Sequence, residues 1–231
     1  MAAAGSGCRL GAGGPKAFVP LAGRPMVEWS IAACREAASV GLIVAACPPG
    51  HVHDLAGGDV GVVDGGETRS QSVSNALRAV DTELVAIHDA ARPLVTPELI
   101  EDVVATLLAD PDAAGAIAAA PVNDTIKQVD LGTKRRFPTS DMENRRFIID
   151  STLDRERLWA AQTPQVFRVD ALRGALAGDP KRVAAATDEA MLVEAAGGKV
   201  LIHPSPPENL KVTTPLDLRL AELLLGERSA Q

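Results

Sequence analysis

Apolar positions along this chain fall into two alternating kinds of stretch. Short unbroken runs read as strands buried on both faces, and stretches with an apolar residue every three or four positions read as helices packed on one side. The runs are Gly41 to Cys47, Val60 to Val63, Glu83 to His88, Ala114 to Pro121 and Lys199 to His203. Pro25 to Ala38 sets Val27, Ile31, Cys34 and Ala38 on one helical stripe, with Pro25 near the first position. Arg69 to Val80 predicts a second helix. Thr96-Pro97 caps a third that reaches about Ala109, with Ile100, Val103, Leu107 and Leu108 turned inward. Further helices are predicted near Asp154 to Ala160, Val169 to Ala177 and Asp188 to Ala196. Thr214-Pro215-Leu216-Asp217 opens the last, docked by Leu216, Leu220, Leu223 and Leu224, with a frayed tail after Gly226.

This alternation predicts an α/β fold with a doubly wound, mostly parallel sheet and ligands at the C-terminal ends of its strands. The loops Asp64 to Ser72 and His88 to Pro93 fall there. One stretch does not fit a wound sheet. From Asp124 to Ile149 the pattern is alternating and charged, with Arg135-Arg136 and Arg145-Arg146 flanking Phe137 and Phe147. It reads as a hairpin or arm at about 124–150, protruding from a single domain over 1–231 and suited to reaching a second copy.

Composition narrows the function classes. The chain has 231 residues, 46% hydrophobic and 23% charged, as in an ordinary globular domain. Aromatics are 3%, Tyr is absent and the net charge is −7, so neither a base-stacking platform nor a basic face for nucleic acid is expected. Cys8, Cys34 and Cys47 show no C-x-x-C spacing, which points to a reducing cytoplasm. No apolar run is long enough to span a membrane, and no signal peptide is recognised. His51-x-His53 lies in a Pro-Gly loop without a third ligand, so no metal site is expected there.

The first sixteen residues carry five glycines and two cations, Arg9 and Lys16. Such a segment can turn its N–H groups onto an anion, or it can be a flexible tail. It is not a P-loop, because Ala17 follows Lys16 where Ser or Thr is required. It is not the dinucleotide fingerprint, because Leu10 takes the place of the last glycine. Alone, Asp64-Gly65-Gly66-Glu67 is a turn and Asp89 a cap at a strand end.

Taken together, these segments resemble one family. Ala3-Ala4-Gly5-Ser6-Gly7-Cys8-Arg9-Leu10 with Pro15-Lys16-Ala17-Phe18 resembles the signature loop of sugar-nucleotide pyrophosphorylase-like transferases. Val63-Asp64-Gly65-Gly66-Glu67-Thr68-Arg69-Ser70-Gln71-Ser72-Val73, His88-Asp89-Ala90-Ala91-Arg92-Pro93, Asp124-Thr125-Ile126-Lys127, Thr187-Asp188-Glu189-Ala190 and Asn209-Leu210-Lys211-Val212-Thr213 follow in the order of the 2-C-methyl-D-erythritol 4-phosphate cytidylyltransferase family.

The resemblance implies a Rossmann-like nucleotidyltransferase fold with an extended β-arm. It also implies transfer of a cytidylyl group from CTP to a sugar-alcohol phosphate, with release of pyrophosphate. A ribitol 5-phosphate cytidylyltransferase and a non-catalytic nucleotide-binding relative stay open beside it. Catalytic roles fall to Arg9 and Lys16. CTP contacts fall to Ala3, Ala4, Gly5, Gly65, Gly66, Glu67, Ser72, Asp89 and Ala90. Acceptor contacts fall to Arg92, Thr187, Lys211 and, from a partner's arm, Arg155, with Thr125 at the arm's root. Mg²⁺, or another divalent metal, is implied on the CTP phosphates, with Asp89 as a ribose contact or a ligand through water. A homodimer is implied.

Two departures from the family pattern stand out. Its members precede this loop with an apolar strand and a proline where this sequence has Met1, so a central strand is expected upstream. The arm is also longer than usual between Asp130 and Ile148, with Lys134-Arg135-Arg136 and Arg145-Arg146 in the excess.

Overall fold

After the opening loop the chain makes a two-residue hairpin, β1 (Pro20–Leu21) against β2 (Arg24–Pro25), which the apolar pattern does not reveal. Its turn sets Ala22 at φ 47° and Gly23 at φ 85°. The computed structural model describes residues 1–5, 7, 10, 14–51, 55, 58–130 and 147–229. The chain divides into two compact units, residues 1–119 with 161–231, and residues 120–160.

The larger unit continues with α1 (Met26–Glu36), β3 (Ile43–Cys47), β4 (Val60–Asp64), α2 (Arg69–Leu77), β5 (Leu84–Ile87), α3 (Pro97–Leu108) and β6 (Ala113–Pro121). Threonine hydroxyls cap two of these helices, Thr68 accepting from the N–H of Gln71 and Thr96 from that of Leu99. β3 and β4 pair in parallel from Ile43 with Val60 to Cys47 with Asp64.

The predicted helix at Asp154 to Ala160 is not formed. Asp154 caps only a single 3₁₀ turn, Arg155–Arg157, and from Trp159 the backbone is taken into a long strand. Pro164 within that stretch also disfavours helix for Thr163 before it. Numbering the arm's two strands β7 (Lys127–Asp130) and β8 (Ile148–Thr152), this strand is β9 (Trp159–Arg168). It is antiparallel to β5, from Leu84 with Arg168 to Ile87 with Gln165. After α4 (Val169–Leu176), α5 (Pro180–Ala185) and α6 (Glu189–Ala195) comes β10 (Lys199–Pro204), parallel to β6. The second sheet therefore runs β10-β6-β9-β5.

Helices cover both faces of this sheet. On one face α3 sets Ile100, Val103 and Leu107 against Ala116, Ala118 and Val166. On the other, Val73, Leu77, Leu172 and Val193 meet Ile117 and Phe167. Alternate residues of β6 and β9 point to opposite faces, as a strand's period of two requires. Leu108, expected inside, is 55% exposed because the stripe of α3 ends one residue earlier, at Leu107. On α1 the buried end position is Ala37 rather than Ala38.

The last helix, α7 (Pro215–Ser229), runs past Gly226, and of its four predicted docking residues Leu224 packs against the core while the other three do not. Leu216, Leu220 and Leu223 are 65%, 43% and 60% exposed. Ala221 and Leu225 instead enter a cluster with Leu21, Met26, Leu94 and Val212, joined by Leu218 and Leu224. The even leucine spacing along α7 does not by itself say which side faces the core.

Met1 to Ala3 joins the two sheets. Ala2 forms parallel bridges with Ala46 in β3 and with Asp89 beyond β5. The bonds are Ala3 N–H to Ala46 O (3.0 Å), Ala46 N–H to Met1 O (3.0 Å), Ala2 N–H to His88 O (2.8 Å) and Ala90 N–H to Ala2 O (3.1 Å). Beside Met1 lies a cavity of about 320 Å³, whose walls include Val44, Leu77, Val85, Ile87 and Val104 and, among the described residues, no Asp, Glu, Lys or Arg.

The smaller unit is built on β7 and β8, which pair antiparallel with an irregularity between Gln128 and Val129. Arg155 donates to Asn123 O at 2.8 Å and Lys127 to the Thr152 hydroxyl at 2.7 Å, both within this unit. Ile148 and Ile149 are 75% and 58% exposed. The charged excess of the arm lies outside the described residues.

Candidate active site

Residues 1–3 of the opening segment are placed by backbone bonding to strands on either side, and the loop closes through Lys16 N–H to Gly5 O at 3.0 Å. Gly7 has φ 72°, and a Cβ there would stand 2.8 Å from Gly14 O. A side chain at Gly7 would be both strained and obstructed.

This segment forms one wall of a cleft of about 470 Å³. Ala3, Ala4, Gly5 and Lys16 line it together with Gly66, Glu67 and Ser72 across from them. Asp89, Ala90 and Lys211 close its end. Gly65 lies just behind: a Cβ there would stand 2.4 Å from the Cβ of Ala4, so glycine lets the two walls meet. The Ser72 hydroxyl shapes the opposite wall, accepting from Gly66 N–H at 2.9 Å and donating to Thr68 O at 3.0 Å.

Asp89 is 7% exposed. Lys211 Nζ donates to Oδ2 at 2.6 Å, and Arg69 donates Nε and Nη2 to Oδ1 at 3.2 and 3.1 Å. Burial alone would raise the Asp89 pKa, but the Arg69 and Lys211 charges hold it well below the usual carboxylate range. Arg69 also donates Nη1 to Glu189, which is fully buried and whose pKa burial pushes up.

The remaining assignments divide. Arg92 is 8% exposed and its guanidinium serves backbone, donating to Asn209 O at 2.7 Å and Ala161 O at 3.3 Å. It braces the segment leading to Lys211 and does not line the cleft. Thr187 is exposed beside Asp188, the cap of α6, and also stands off the cleft wall. Thr125 and Arg155 belong to the smaller unit. Arg9 and Cys8 lie outside the described residues, as does His53, while the His51 ring stacks on Phe18 with centroids 5.3 Å apart.

The comparisons with known proteins decide the family. The family model IspD, 2-C-methyl-D-erythritol 4-phosphate cytidylyltransferase, matches residues 1–227. The chain belongs to this family. It is similar to the 2-C-methyl-D-erythritol 4-phosphate cytidylyltransferase of Gloeobacter violaceus, 41% identical over 99% of this chain and 96% of that protein. It is 44% identical to that of Frankia casuarinae, over 97% and 79% of the two chains. The crystal structure of the Thermus thermophilus enzyme superposes with TM-score 0.75 at 33% identity, covering 96% of each chain.

Within this family site, sequence reasoning assigned no role to Arg69 or Glu189. A physical signal for Arg69 was present: it opens α2, where the helix dipole disfavours a cation, so it needs a carboxylate partner. Also missed was the scaffold under Asp89. Asp89 N–H donates to Thr163 Oγ1 (3.0 Å), the Thr163 hydroxyl is 3.0 Å from His88 Nδ1, and His88 Nε2 is 3.2 Å from Arg92 O. Because the Arg92 carbonyl can only accept, this chain assigns the proton to Nε2 and leaves Nδ1 to accept from Thr163.

Burial lowers the His88 pKa from 6.5 to about 4. The native state thus resists a proton that the unfolded chain takes up below pH 6.5. The stabilisation is complete above pH 6.5 and is lost as pH falls through 6.5 towards 4. Its expected size is roughly 3 kcal/mol. Chemical denaturation at pH 7 and pH 4 should show that loss in the wild type and a clearly smaller one in His88→Gln; equal losses would contradict it.

Proposed function

We infer that the chain transfers the cytidylyl group of CTP to 2-C-methyl-D-erythritol 4-phosphate, releasing pyrophosphate, in non-mevalonate isoprenoid precursor biosynthesis. The observation carrying this is the convergence, in one cleft, of the opening loop with Lys16, the Gly66–Ser72 wall, and Asp89 paired to Lys211. An oxygen of the acceptor phosphate attacks the α-phosphorus of CTP. The bond to the bridging oxygen breaks, and pyrophosphate leaves with that electron pair. Such a transfer depends on positioning and charge stabilisation.

In this reading Lys16, with Arg9, takes the triphosphate charge that grows towards the leaving pyrophosphate. The wall with Gly65 and Gly66 takes the base, and Asp89 faces the ribose or a metal-bound water. Among the described residues no three His, Cys, Asp or Glu side chains converge on a metal position. The cleft-end carboxylate of Asp89 fits a hard cation carried mainly by phosphates. Mg²⁺, when bound, supplies neutralisation of the triphosphate oxygens.

The acceptor phosphate belongs at Lys211, with a partner's Arg155 as a further proposed contact. Exposed Ile148 and Ile149 on the arm favour a homodimer; a monomeric mass by light scattering would reject it. Neither Cys34 nor Cys47 is in a disulfide, and the cytoplasm is the proposed location. Among the described residues no helix is long and apolar enough to cross a membrane.

Pyrophosphate release with CTP tests the reading directly. Methylerythritol phosphate should be turned over faster than ribitol 5-phosphate; the reverse order would reassign the acceptor, and no release with either would remove the activity. Lys211→Ala should raise the acceptor KM by roughly 10- to 100-fold, the worth of a charge-assisted contact, with a much smaller change for CTP. A selective loss of CTP affinity would move Lys211 to the nucleotide.

A further inference from the structure

Arg69 and Glu189 take no part in the reaction just described, yet they hold much of the cleft's charge pairing. Arg69 Nε and Nη2 both reach Oδ1 of Asp89, and Nη1 reaches Oε2 of Glu189. Glu189 is 0% exposed, and its other oxygen has no hydrogen-bond partner. That carboxylate is therefore committed to Arg69. The guanidinium is fastened at one end to a buried anion and presents its other edge to Asp89. A planar fork anchored in this way fixes an orientation, whereas the ammonium of Lys211 on Oδ2 is a point charge on a flexible stem.

We propose that Arg69, braced by Glu189, is a positioning residue that sets the orientation of the Asp89 carboxylate for the nucleotide. The proposal rests on the reading that Asp89 serves CTP. The two grips on Asp89 then differ in kind. Lys211 is 44% exposed and can leave Oδ2 for an arriving phosphate. Arg69 is 21% exposed, tied to Glu189, and stays. With Arg69 in place, Asp89 keeps its orientation while Lys211 changes partner. Without it, the same exchange would release the carboxylate.

The test is a double-mutant cycle on steady-state CTP kinetics, with thermal melting of each variant. Arg69→Gln should lower kcat/KM for CTP roughly 10- to 100-fold, as the loss of a supporting residue behind a ligand contact does. Arg69→Lys keeps the charge but not the fork and should recover only part of that loss. In an Asp89→Asn background either change should cost less than about threefold, because no carboxylate remains to be oriented.

Equal factors in the two backgrounds would overturn the proposal alone, making Arg69 a direct substrate contact or a purely structural ion. An Asp89→Asn variant with unaltered CTP kinetics would overturn the reading of Asp89 and the proposal with it. If Arg69→Gln does not fold, the cycle is run with Arg69→Lys under the same criteria.

Discussion

Lys16→Ala is expected to slow cytidylyl transfer by roughly 10²- to 10³-fold, the usual cost of removing one preorganised charge contact from a transition state. Lys16 opens a 3₁₀ turn, Lys16–Phe18, and its N–H is tied to Gly5 O at 3.0 Å. Its backbone is thus fixed against the loop it serves, while its half-buried side chain lines the cleft. Charge on the departing pyrophosphate is larger in the transition state than in bound CTP, so the loss should fall mainly on kcat. Steady-state kinetics of CTP consumption check this, with a melting curve to confirm the fold. An unchanged rate would mean that the opening loop does not hold the triphosphate.

Phe167→Ala is expected to destabilise the protein by roughly 3–5 kcal/mol, as removal of a buried aromatic ring does. Phe167 is 0% exposed at the centre of the sheet. Gly115 on β6 makes room for it: a Cβ at that glycine would stand 2.3 Å from the ring. The hole left by alanine lies between the sheet and the helices that set Val73, Leu77, Leu172 and Val193 on it, and it cannot collapse freely. Denaturant unfolding measures the loss, and a change below about 1 kcal/mol, within the range of an ordinary surface substitution, would contradict this view of the core. The site should suffer too, because β9 also carries Thr163, which accepts from the Asp89 N–H.

Much of this organisation was legible in the sequence because it rests on local rules. The apolar runs Gly41 to Cys47 and Ala114 to Pro121 became the buried strands Ile43–Cys47 and Ala113–Pro121, and Thr96 became a helix cap as expected. Motif resemblance then brought Lys16, Gly66, Asp89 and Lys211 to one cleft. What escaped depends on partners distant in sequence. β9 is a strand because β5 pairs with it, and nothing in Trp159–Arg168 alone announces that. Resemblance gives Arg92 to the acceptor, and its engagement with the Asn209 and Ala161 carbonyls follows only from the fold. Glu189 appears in the sequence only within the Thr187 to Ala190 motif, and its pairing with Arg69, 120 positions away, is visible only in the fold. Ala2 bridges both Ala46 in β3 and Asp89 beyond β5, a tie between the two sheets that no local rule announces.

The central claim is that the opening loop and the Gly66–Ser72 wall together grip CTP, and a crystal structure of the chain with CTP and Mg²⁺ tests it most directly. Triphosphate oxygens within hydrogen-bond reach of Lys16 Nζ, with the cytosine edge on the Gly65–Ser72 loop and the ribose at Asp89, are the predicted result. A triphosphate bound away from Lys16, or a cytosine lodged elsewhere in the molecule, would contradict it.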